Sequence, residues 1–281
     1  MSIRTVEQII TGQATTDGAG VELVRVIGQP ALMDLDPFLL LDAFRSDDPD
    51  DYIAGFPPHP HRGFETVTYI LNGRMRHKDN AGNEGVIEPG GIQWMTAGKG
   101  IVHSEMPEQQ DGMLEGFQLW INLPGSHKMT APLYQEHDAA RIPTESRNQT
   151  VIKVISGKTS QGTIGPVIQP LTDPLYLDVS LQADTEFQEE ISATHNAFIY
   201  VIGGEVKLED TDATQLSLGR DQLAVLSSGD TIALHSGHQA TRFLLVAGQP
   251  LNEPVARGGP FVMNTDAEIR QAFSDYQRGN F

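Results

Sequence analysis

The sequence predicts an all-β protein made of two tandem barrels with a short C-terminal helix. Three observations carry that prediction. Short runs of β-branched and aromatic residues recur between turn residues, as strands of a sandwich or barrel do. Helical periodicity is confined to the last stretch of the chain. An internal repeat relates the two halves.

The strands follow in order. Pro37-Phe-Leu-Leu-Leu41 is a short apolar run and reads as a buried strand. Glu65-Thr-Val-Thr-Tyr-Ile-Leu71 is β-branched and aromatic, and closes on Asn72-Gly73, a hairpin signal. Gly116–Ile121, Val151–Ile155, Leu175–Val179, Ala197–Ile202, Gln222–Leu226 and Arg242–Val246 read the same way. The 28 glycines and 17 prolines are spread along the chain, which suits many tight turns. Near the end, Ile269, Ala272, Phe273 and Tyr276 fall on one helical face. Thr265 followed by Glu268 forms a capping box, so a docked helix is expected over about 265–277.

The repeat has an offset of 131 residues, at which Tyr69-Ile-Leu-Asn-Gly73 lands on Tyr200-Val-Ile-Gly-Gly204. Asp79 lands on Asp210, Gly98 on Gly229 and Ile101 on Ile232. A repeat of this length predicts two domains, 1–135 and 136–281, with the helix in the second. The prolines at 132 and 143 and the polar run Thr144–Thr150 mark the boundary.

Composition narrows the function. The chain has 281 residues, 39% hydrophobic and 20% charged, the balance of a globular soluble protein. Its formal net charge is −18, with 37 acidic against 19 basic side chains. Such a surface repels phosphate backbones and anionic lipid, so neither nucleic acid nor membrane is an expected partner. The chain has no Cys, which leaves His, carboxylates and carbonyls as metal donors. No apolar run reaches membrane-spanning length, and the opening residues lack a secretory pattern, so a cytoplasmic protein is expected.

The histidines form the functional signal. His59-Pro-His61 places two imidazoles on one face of a strand, because residues i and i+2 point the same way. His103 and Glu105 repeat that spacing after the glycine-rich Gly98-Lys-Gly100. Two strands offering two donors each to a barrel interior make a site for one divalent first-row ion: Fe, Mn, Ni, Cu or Zn. Glu65 shares parity with His61 and is a rival carboxylate, or an acceptor from a ligand His. At the offset of 131 the donor positions become Glu190, Ser192, Leu234 and Ser236, so one metal per chain is expected, in the first barrel. His77, His127 and His137 read as ordinary polar or surface histidines, and His195, His235 and His238 lie out of register.

These motifs resemble the cupin superfamily, whose patterns H-x-H-x3-E and G-x2-H appear as His59, His61, Glu65 and Gly100 to His103. More specifically, Phe56–Thr66, Gln93–Met106 and Gly259–Thr265 resemble the signatures of the pirin family. The likeness runs from Phe38 to the C-terminal helix. It implies two jelly-roll cupin barrels and a non-haem iron on His59, His61, His103 and Glu105, which decides for Glu105 over Glu65. It also implies either a quercetin 2,3-dioxygenase, opening a flavonol ring with O2, or an iron-dependent regulatory protein with a protein partner. In the enzyme, Glu105 is the expected catalytic base. Phe56, Phe64, Met95 and Gln118 are the expected lining of a flavonol pocket.

Overall fold

The runs of β-branched and aromatic residues become strands in the computed structural model, which describes residues 2–210 and 212–281. Each expected strand is present, two to four residues longer: Phe38–Ser46, Phe64–Asn72, Leu114–Asn122, Thr150–Ser156, Leu175–Leu181, Asn196–Gly203 and Thr241–Gly248, with Gln222–Leu226 as expected. Among the described residues Asp266–Gln277 is the α-helix. The architecture is that of two cupin barrels.

Two compact units form. The first is built mainly from Phe38–Ala139, with Ala14–Gly28 and Leu251–Phe281 added. It has a seven-stranded sheet in the order Leu133–His137, Ile92–Thr96, Phe64–Asn72, Leu114–Asn122, Phe38–Ser46, Val21–Ile27, Gln13–Asp17. Its smaller sheet runs Phe56–His61, Ile101–Pro107, Met75–Asp79, Glu84–Ile87. The second unit, mainly Ala140–Pro250, repeats this order. Its large sheet has Gln222–Leu226, Asn196–Gly203, Thr241–Gly248 and Leu175–Leu181 at its centre, and its small sheet has Glu186–Glu190, Thr231–Ser236, Val206–Glu209 and Gln215–Leu218.

Contacts therefore group the chain differently from a single cut at 135. The strand Val6–Thr11 pairs with Gln222–Leu226 and belongs to the second unit. The helix belongs to the first. The sequence shows the helix but not its docking site, because an apolar face does not name its partner. Ile269 and Ala272 bury themselves against Phe261 and Met263. Phe273 and Tyr276, on the same predicted face, stay 40% exposed and touch Phe261 by their ring edges. The capping box forms as expected: Thr265 Oγ1 accepts from Glu268 N and donates to Glu268 Oε2.

The repeat is visible in the ladders. Tyr69 faces Ile92 in the first unit and Tyr200 faces Leu223 in the second, both offset by 131. Asp79 Oδ1 accepts from the amides of Ala81 and Asn83, and Asp210 Oδ1 from those of Asp212 and Thr214. Asn72-Gly73 turns the chain, with Gly73 at φ +78°. It is not a hairpin between paired strands, however: it passes from the large sheet to the small one.

Candidate metal centre

The small sheet of the first unit carries the donors. In the ladder between Phe56–His61 and Ile101–Pro107, His103 faces His59 and Ile101 faces His61. A bulge falls between His103 and Glu105, yet both side chains are buried while Ser104 between them is not. Strand parity thus brings three imidazoles together. Donor nitrogens of His59, His61 and His103 lie within 4.8 Å of one another. Their ring centroids are 4.4–4.9 Å apart.

The ring nitrogens are arranged for a cation. His59 Nδ1 lies 2.8 Å from the carbonyl of Pro57, and His61 Nδ1 lies 3.4 Å from that of Pro260. A carbonyl only accepts, so both rings carry their proton on Nδ1. That leaves two Nε2 lone pairs facing each other at 3.0 Å. His103 Nε2 is buried with no hydrogen-bond partner. Burial foremost, and then the neighbouring imidazoles, hold His61 and His103 well below the usual histidine pKa. Both are therefore neutral near pH 7, the form that binds metal. Lone pairs pressed together and an orphaned buried nitrogen fit a divalent ion with imidazole donors.

Glu105 and Glu65 separate clearly. Glu65 lies in the large sheet beyond the turn at Gly63, where Trp94 Nε1 and Thr96 Oγ1 donate to its two oxygens at 2.9 and 2.6 Å. Gly63 has φ +87°, and a Cβ there would strike the carbonyl oxygen of Val262. The Lys128 ammonium secures this turn, donating to Gly63 O at 2.8 Å, Asn122 Oδ1 at 2.6 Å and Val262 O at 3.1 Å. Glu105 is buried and lines the same cavity as His59 and His61. Its carboxylate lies outside the tight group of imidazole nitrogens and instead meets Thr68 Oγ1 at 2.5 Å and Gln118 Nε2 at 3.2 Å.

The cavity holds about 630 Å³, within the range of small-molecule sites. Its walls include Leu23, Leu40, Phe44, Phe56, Met75 and Trp120, with Thr68, Glu105 and Gln118 as polar points. Phe56 and Gln118 lie on this wall. Phe64 and Met95 are not on the wall: Phe64 packs with Leu39 and Val262, and Met95 with Ala97 and Ile101. Their apolar character suits core and pocket equally, so the sequence does not separate the two. Trp120, two residues along from Gln118 and on the same face, takes that place, edge-on to His61 at 5.1 Å.

His77 corrects a second expectation. It is no surface residue but fully buried, with its Nδ1 3.4 Å from His103 Nδ1 and 2.8 Å from Gln93 Nε2. The signal was present in the sequence: Met75, His77 and Asp79 alternate with Arg76 and Lys78, and the apolar Met75 marks the inward parity. His127 is exposed, as expected, and His235 is exposed too.

With this geometry in view, comparison with known proteins places the chain. The Pirin family model matches residues 20–121, and the Pirin C-terminal cupin domain matches residues 176–281. A pirin-like protein of Caulobacter vibrioides is 53% identical over 100% of both chains. The chain belongs to the pirin family. Human pirin is 41% identical over 98% of this chain and 93% of its own length. The crystal structure of a quercetin 2,3-dioxygenase from Acinetobacter baumannii superposes with a TM-score of 0.90 at 33% identity, covering 100% of this chain and 99% of that one. In this pirin-family chain the histidine triad sits in the first unit. No helix among the described residues is long and apolar enough to cross a membrane.

Proposed function

We propose that the first unit binds one divalent metal, iron foremost, and uses it to open a flavonol ring with O2, as a quercetin 2,3-dioxygenase. The observation that carries this reading is the convergence of His59, His61 and His103 beside a cavity of about 630 Å³ that also exposes Glu105. The three imidazoles would hold the ion through Nε2, with Glu105 as the fourth donor. When bound, the metal supplies Lewis acidity, which favours the ionised form of the flavonol 3-hydroxyl.

The chain's own residues do the rest. Glu105 takes the hydroxyl proton on its carboxylate. Thr68 and Gln118 hold that carboxylate at the cavity wall. Phe56, Leu40 and Trp120 give an apolar wall against which aromatic rings would pack. The expected setting is the cytoplasm.

The test has two steps. Elemental analysis of protein purified without added metal should find one ion per chain, iron in the largest share. Metal-loaded protein mixed with quercetin under nitrogen and then exposed to air should lose the flavonol absorbance and release carbon monoxide. Unchanged absorbance in air with iron, manganese, nickel and copper alike would sink the dioxygenase reading.

A further inference from the structure

A line of polar side chains crosses the large sheet of the first unit. Ladder partners run Arg25–Asp42, Asp42–Gln118, Gln118–Thr68 and Thr68–Gln93. Asp42, Thr68 and Gln93 are each at most 3% exposed. Buried polar groups cost free energy unless they are bonded, so a row of them in a sheet interior needs a reason. The contacts supply it. Thr68 and Gln118 meet Glu105, and Gln93 meets His77, which meets His103. The row on one sheet supports donors on the other.

The second unit provides an internal control. With the offset of 131, Thr68 and Gln93 match Ile199 and Ala224, which are ladder partners. Ile199 faces Leu245, Leu245 faces Leu177, and Leu177 faces Val154, so these match Gln118, Asp42 and Arg25. In the small sheet, Leu234 matches His103 and faces Phe187, and Ser236 matches Glu105 and faces Val206. His59 thus corresponds to Phe187; for His77 the ladder gives Val206 and the offset of 131 gives Leu208, both buried and apolar. The polar row turns apolar throughout, and so do the places of His59 and His103, while Ser236 stands at the place of Glu105 and Glu189 at that of His61. A row that merely stabilised the sheet would have no reason to vanish with the donors.

We infer that His77, held by Gln93 and Asp79, is a positioning residue that fixes the tautomer and orientation of His103 for metal binding. The inference rests on the reading of His103 as a ligand. The Asp79 carboxylate accepts from Ala81 N, Asn83 N and Asn83 Nδ2, which fix it in place. It lies 3.6 Å from His77 Nε2, which favours a proton there. Gln93 Nε2 donates to His77 Nδ1, which also demands a bare Nδ1. His103 Nδ1–H, 3.4 Å away, shares that one lone pair as the longer of two donors, and the lone pair of His103 is left on Nε2, the atom with no partner in the cavity.

Two measurements test this. The first uses wild-type protein freed of metal. Long-range proton–nitrogen spectra should show His103 protonated on Nδ1 and His77 on Nε2, and a proton on His103 Nε2 overturns the inference. The second is iron(II) affinity under nitrogen, by competition with a coloured chelator. His77→Phe should bind roughly 10–100-fold more weakly than wild type. His77→Asn keeps an acceptor where Nδ1 stood and should recover to within about threefold. Equal affinity of His77→Phe and wild type, with matching melting curves, overturns the inference while leaving the metal site intact. A wild type that binds no iron(II) at all fails the metal reading itself.

Discussion

The two units share their strand order, yet one encloses a cavity of about 630 Å³ with polar groups set in its wall and the other a packed apolar core. At the place of His59 the second unit has Phe187, which packs edge-to-face on Phe243 at 5.6 Å. At the place of His103 it has Leu234, 1% exposed within the core. Glu189, matched to His61 by its partner Ile232, is tied to Arg147 and to the amide of Ser160 at 2.6 Å each. The difference teaches what a metal site demands of a barrel. Removing donors is not enough; the volume they held must be filled, since interiors pack near crystal density. Conversely, opening a cavity means giving up the burial of Phe- and Leu-sized side chains, each about 1.5–3 kcal/mol.

Substitutions at matched positions break or sharpen this contrast. The largest effect is expected for His61→Ala, which should lower metal affinity by more than about 100-fold, beyond what losing a supporting residue costs. Glu189→Ala, at the matched place, should leave metal content unchanged by elemental analysis. Next is Phe187→Ala, expected to cost about 3–5 kcal/mol in urea unfolding through loss of contacts and a new cavity. His59→Ala in metal-free protein should cost far less, because that imidazole already faces a cavity.

The first unit's polar construction should also show in pH dependence. Burial foremost brings the Lys128 ammonium down to about 8, with Glu253 and Glu268 opposing. Between pH 8 and the ordinary lysine range the unfolded chain binds more protons than the folded one, so stability from this group rises with pH. Below pH 8 the cost of the buried charge is fully present. Relative to Lys128→Met, the wild type should gain about 1–2 kcal/mol between pH 8 and pH 9.5 in urea titrations. The smallest effect is expected for Thr265→Ala, which removes a helix cap of about 1 kcal/mol from the first unit. Melting of the helix at 222 nm, ahead of the sheet, reports it.

Much of this is legible in the sequence, for identifiable reasons. Strand parity alone brings His59 and His61 to one face, and the same spacing brings in His103 and Glu105. The offset of 131 holds wherever strands are matched without insertion, as at Tyr69 and Tyr200. It fails at the donor strand, where the ladder puts Phe187 and Glu189, not Glu190 and Ser192, in the places of His59 and His61. Three residues of slippage before that strand leave no trace in composition. The choice between Glu65 and Glu105 is likewise beyond parity, because Gly63 turns the chain into another sheet and resets which way Glu65 points. The alternation of Met75, His77 and Asp79 places His77 inside, but its role is not legible there, because its partners Gln93 and His103 lie far off in sequence.

The exchange of end segments has a consequence for how the molecule is made. Pro260 receives His61, Val262 receives Lys128, and Asp275 pairs with the almost fully buried Arg62 at 2.8 Å. All three acceptors follow the strands of the second unit in sequence, while Val6–Thr11, which precedes the first unit's strands, pairs with Gln222–Leu226. Neither barrel can be completed in order of synthesis. A chain cut after residue 250 would keep the histidine triad but lose the Pro260 carbonyl behind His61 and the Asp275 carboxylate that pairs with Arg62.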